Sequence, residues 1–120
     1  MRYLIIGLLL SASALANPGH FFKDKERQYT RSLFATQKEC EEAQKMGINC
    51  FQSVEFFPDG KVLLMVTDIM NIGTYQIQGQ KALLEMQAGE VPRRISYSIA
   101  TDYKSLTLDA NGTVWLLKEE

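Results

Sequence analysis

Two cysteines, a single histidine and a scatter of carboxylates are the residues through which this chain could do chemistry. Cys40 and Cys50 flank the stretch Glu-Glu-Ala-Gln-Lys-Met-Gly-Ile-Asn, a Cys-x9-Cys spacing. Zinc takes about four ligands, usually from closely spaced pairs. His20 is too far along the chain to complete such a set, so no metal is expected. A Cys-x-x-Cys pair, which would lower a thiol pKa for redox work, is absent. A Cys40–Cys50 disulfide remains, and closing that eleven-residue loop stabilises a fold by roughly 2–3 kcal/mol on the chain-entropy view.

Catalytic groupings are missing as well. A Ser-His-Asp triad needs a positioned imidazole, whereas His20 follows Pro18-Gly19 in a polar segment and reads as solvated. Asp68 and Asp102 fall near expected strand ends, where Asp is ordinary turn chemistry rather than half of an acid and base pair. Gly73 and Gly79 read as strand and turn residues, so no glycine loop opens a helix to cradle phosphate. The chain therefore reads as a non-enzyme without a cofactor.

The elements that must hold these residues begin after a leader. Arg2, the apolar run 4–10 and Ser-Ala-Ser-Ala-Leu-Ala ending at Ala16 form a signal-peptide pattern over residues 1–16, with Ala14-Leu15-Ala16 as the cleavage site. The run is short of the roughly 20 apolar residues that span a bilayer, and no cysteine stands at the cleavage point to take a lipid. The expected product is periplasmic or secreted, with no membrane span, in a compartment where an even cysteine count means a disulfide. With Arg2 gone, twelve basic residues face fourteen acidic ones without a basic stripe, so no nucleic-acid partner is expected.

The remaining length makes one domain. Residues 17–28 read as a polar N-terminal arm in which Phe21-Phe22 must dock, as a plug over an open end of the domain or on a partner. Residues 29–120 form the body. Thr36-Gln-Lys-Glu39 is a capping box, Gly47 is placed as a left-handed C′ residue before Ile48, and the helix between them spans about residues 37–46 with a thin stripe of Cys40, Ala43 and Met46.

Strands are expected over 29–34 and then, without another helix, over 51–57, 61–67, 73–78, 81–87, 93–100, 105–108 and 113–118. Pro58-Asp-Gly60, Gly79-Gln80 and Asn111-Gly112 supply tight hairpin turns, and Asp68-Ile-Met-Asn71 reads as a turn or bend. Connections this short exclude parallel crossovers. The fold class is mainly β, an antiparallel meander of about eight strands that closes on itself to remove its edges, with an open two-sheet sandwich as the second choice.

The succession Phe57-Pro-Asp-Gly60-Lys-Val62, Gly73-Thr-Tyr75-Gln-Ile77-Gln-Gly79, Leu83-Leu84, Ser105-Leu-Thr-Leu108 and Asn111-Gly-Thr113 resembles the meander of small exported bacterial lipocalin-like, calycin-type barrel domains, over about residues 51–118. The Gly-x-Trp that marks lipocalins near their start has no counterpart here, because Trp115 lies in the last expected strand. The Cys-x-x-Cys and lipidated cysteine of the similar copper-resistance lipoproteins are also missing. The resemblance implies a barrel and carries over no binding residue.

In such a barrel the inward set is drawn from Val62, Leu64, Val66, Tyr75, Ile77, Leu84, Met86, Ile95, Tyr97, Ile99, Leu106, Leu108, Val114 and Leu116. An eight-stranded barrel holds either its own side chains or one small ligand, and strands this short favour a filled interior. Two functions stay open. The first is a binding module of the bacterial cell envelope holding a small apolar ligand, with Tyr75, Tyr97, Met86 and Ile99 as candidate ligand-binding residues. The second is a protein-binding module, such as an inhibitor of a periplasmic hydrolase, acting through its rim loops and arm with Phe21, Phe22, Ile69 and Met70. A monomer is expected in either case.

Overall fold

The order of elements in the computed structural model, which describes residues 18–66, 69–87 and 91–118, is helix α1 (Gly19–Asp24), β1 (Arg27–Ser32), α2 (Gln37–Lys45), β2 (Phe51–Phe56), β3 (Lys61–Val66), β4 (Ile69–Gln78), β5 (Lys81–Met86), β6 (Arg94–Ile99), β7 (Ser105–Leu108) and β8 (Val114–Leu117). The expected leader and Asp68 lie outside the described residues. Each strand pairs antiparallel with the next, and β1 also pairs with β8 through Tyr29↔Leu117 and Thr30↔Leu116, which closes the barrel.

Turn side chains fix the hairpins by accepting backbone bonds that the ladder cannot use. Asp59 Oδ1 accepts from the Lys61 amide at 3.1 Å between β2 and β3, and Asn111 Oδ1 accepts from the Thr113 amide at 3.0 Å between β7 and β8. The stretch before Asn71 differs from the expected turn. Ile69, Met70 and Asn71 are already strand, paired with Val66, Met65 and Leu64. Asn71 faces inward and is buried, and its Nδ2 donates to the carbonyls of Leu64 and Ile69. A satisfied amide makes a polar residue tolerable in a strand, which composition alone read as a turn.

The inward face carries the core: Tyr29, Val54, Phe56, Val62, Leu64, Tyr75, Ala82, Leu84, Met86, Tyr97, Ile99, Leu106 and Trp115. Gly73 is required where β4 crosses Met86. A methyl at this position would collide with the Glu85 carbonyl oxygen and lie 2.8 Å from Met86 Sδ. The last strand corrects an expectation. Val114 and Leu116 point to solvent, and Trp115 points inward opposite Leu106. A run that is apolar at every position fits either register, and the larger ring takes the core.

Helix α2 forms as its caps dictate. Thr36 Oγ1 accepts from the Glu39 amide, the Ile48 amide donates to the Ala43 carbonyl and the Gly47 amide to Gln44, with Gly47 at φ +80. Cys40 and Ala43 are buried, whereas Met46 is exposed. The Cys40–Cys50 disulfide, with Cα atoms 5.3 Å apart, holds this thin helix to the start of β2.

The arm is ordered as α1 and closes one end of the barrel. Phe22 is fully buried among Phe56, Tyr75 and Tyr29, with ring centroids 4.9, 6.2 and 6.2 Å away. Phe21 lies between the Tyr103 ring and the Arg27 guanidinium, which sits 3.6 Å above its centroid. Arg27 also donates from Nε to the Phe21 carbonyl and pairs with Asp24 at 3.5 Å. Two core phenols finish the seal. Tyr75 donates to the Phe57 carbonyl at 2.7 Å, and Tyr29 to the Tyr103 carbonyl at 2.6 Å.

Candidate functional site

At the opposite end the strands leave an open-mouthed cavity of about 620 Å³. Alternation along each strand decides what faces it. Tyr29 is buried, so Arg31, two residues on, points into the same interior, and Gln52, opposite Arg31 in the β1–β2 register, does the same. Leu64 and Val66 of β3, Ile95 and Tyr97 of β6, Leu108 of β7 and Trp115 of β8 complete the inner wall, with Val91, Pro92 and the Asn111 turn at the lip. The concavity extends over the rim to Arg94, Ser96 and Asp109 on the outer side.

The polar groups at this end are unevenly satisfied. Arg31 Nη1 donates to Gln52 Oε1 at 3.1 Å, and no Asp or Glu among the described residues pairs with it. Tyr97 is only 1% exposed and stacks edge-on against Trp115 at 5.6 Å. Unlike Tyr29 and Tyr75, its hydroxyl has no hydrogen-bond partner among the described residues. Burial pushes the Tyr97 phenol up from its ordinary range, and the Arg31 charge opposes that shift, which places the two groups within electrostatic reach. Asp109 is the opposite case. It accepts from Lys81 at 2.8 Å and from the Ser96 and Ser98 hydroxyls at 2.6 Å each, and these bonds hold its carboxyl down at about 2.

The candidate ligand-binding residues of the sequence do not form one site. Tyr97 lines the mouth. Tyr75 belongs to the sealed end, and Ile99 belongs to the core, near that end of β6. Met86 packs in the core over Gly73. Of the candidate partner-binding residues, Phe22 is buried under the barrel and Phe21 is half-buried beside it, so both rings pack on the barrel's own end. Ile69 and Met70 are exposed, together with Ile72. Asp102 caps its own turn by accepting from the Lys104 amide, and His20 is exposed on α1. Among the described residues no three His, Cys, Asp or Glu side chains gather as metal ligands.

Sequence reasoning missed Arg31, Gln52 and Trp115. The signal for Arg31 was present in Arg27-Gln-Tyr29-Thr-Arg31, because once Tyr29 is inward, both arginines share its face. The fold and cavity together define a small closed antiparallel barrel, plugged by a helix at one end and open at the other. No helix among the described residues is long and apolar enough to cross a membrane. Comparison of the chain with protein-family models, with curated proteins and with solved structures finds no match.

Proposed function

We propose that the protein is an exported, non-enzymatic, lipocalin-like binding module that holds a small ligand in the mouth of its barrel. The observation that supports this reading most is the cavity itself. At about 620 Å³ it falls within the roughly 300–1,000 Å³ of small-molecule sites, and it is mainly apolar with a few convergent polar groups. The disulfide fits an oxidising compartment such as a periplasm or the cell exterior, reached after cleavage following Ala16. Native mass spectrometry of the protein purified from such a compartment tests the reading. A discrete small adduct that is released on unfolding is expected, and a bare protein from every preparation overturns it.

A second reading, a protein-binding module such as a hydrolase inhibitor, draws on one observation. Met70 and Ile72 stand exposed on the outer face of β4 beside Leu63 and Met65 of β3, with Ile69 nearby. On this reading, a complex with an envelope hydrolase forms with the wild type and fails with Met70→Glu.

A further inference from the structure

We propose that the ligand of the mouth is an amphipathic anion, a carboxylate on an apolar chain or ring, whose head group is held by Arg31 and the Tyr97 hydroxyl. This rests on the small-ligand reading above and names the ligand's chemical class.

The two inward arginines of β1 give an internal comparison. Arg27, at the sealed end, has its charge and donors taken up by Asp24, the Phe21 carbonyl and the Phe21 ring. Arg31, two turns of the pleat away on the same face, has among the described residues one neutral amide oxygen for a group that carries five donors. A guanidinium drawn into a barrel interior loses water, and that cost is offset when a carboxylate meets its planar fork. The three inward phenols compare in the same way. Tyr29 and Tyr75 spend their hydroxyls on backbone carbonyls, and Tyr97 keeps its donor for the cavity that it lines.

Charge at the rim points to the same sign of ligand. Asp109 is the one acid lining the cavity among the described residues, and Lys81 with two serine hydroxyls neutralises it from the outer side. Arg94 stands at the lip on the outer face, opposite Glu85 in the β5–β6 register. The Arg31 guanidinium therefore sets the sign of the potential inside the opening, and Leu64, Val66, Ile95, Leu108 and Trp115 offer the apolar wall for the body of the molecule.

Trp115, the single tryptophan, lines the cavity and reports on its occupancy. Decanoate, decanol and decyltrimethylammonium would be titrated into the full mature protein while Trp115 emission is followed. Decanoate is expected to bind about ten-fold or more tightly than decanol, the usual gain from a charge-assisted hydrogen bond, with the cation weakest. Arg31→Met should abolish the preference, bringing decanoate down to the affinity that the same variant has for decanol, and Tyr97→Phe should cost decanoate about three-fold or more, with melting curves confirming that both variants fold. Equal affinity for decanoate and decanol in the wild type overturns the anion assignment while the small-ligand reading stands. Binding of none of the three probes overturns both. Should Arg31→Met fail to fold, the decanoate-to-decanol ratio of the wild type and the Tyr97→Phe variant decide the matter by themselves.

Discussion

Asp109 is the carboxylate with the most side-chain partners among the described residues, and its pH behaviour follows from them. Three donors favour its charged form, so its folded pKa of about 2 lies below the ordinary 3.8. A depressed acid contributes stability that is present above its unfolded pKa and is lost as pH falls from about 4 through about 2. Asp109→Asn should therefore melt below the wild type at pH 7, and the gap should shrink as both are melted at pH 4 and then pH 2. Gly73 gives a second prediction. Gly73→Ala drives a methyl into the Glu85 carbonyl and Met86, and overpacking of this kind costs about 1–3 kcal/mol. Urea unfolding should show a lower midpoint with little change in slope. Neither role was legible in the sequence. Asp109 falls between the expected strands 105–108 and 113–118, but Lys81, Ser96 and Ser98 reach it only through strand pairing, and Gly73 read as a strand residue without any sign that Met86 lies against it.

Among the elements, α2 and α1 divide along the line between local and tertiary causes. The caps of α2 are written in neighbouring residues, Thr36, Glu39 and Gly47, and its bounds were readable from them. Helix α1 has six residues and no side-chain cap, too short to form alone in water. Its existence depends on Phe22 entering the barrel, a contact with residues far along the chain. Phe22→Ala should lower the stability by about 3–5 kcal/mol, measured by chemical unfolding, because it empties the best-buried position of the plug. On the small-ligand proposal, the cavity at the far end should still bind decanoate in any fraction that remains folded. Tyr103 adds a detail at the same end. It adopts φ 64, unusual for a bulky residue, and the Tyr29 hydroxyl and the Phe21 ring hold it there.

At the scale of the molecule, hairpin turns and short connections made the closed barrel readable, since each hairpin joins neighbours and eight strands leave two edges to be paired. What the pattern could not decide was the content of the interior. The sealed half is filled by aromatic side chains, whereas the mouth half keeps a cavity. That division follows from which ring faces in at Trp115 and from an arm that folds onto one end, and neither is encoded by alternation alone.

Closure itself brings a consequence in the order of assembly. The first strand and the last meet through only two paired positions, and β8 is four residues long, so the seam joins the most distant parts of the chain with the shortest ladder. Contacts of such long sequence separation form late and open early. Amide hydrogen exchange should run fastest along β8 and the adjoining side of β1, and slowest across the longer ladder between β3 and β4. A barrel of this construction behaves in time as a meander with a gate, in which the wall beside Trp115 is the last to close during folding and the first to part when the molecule breathes.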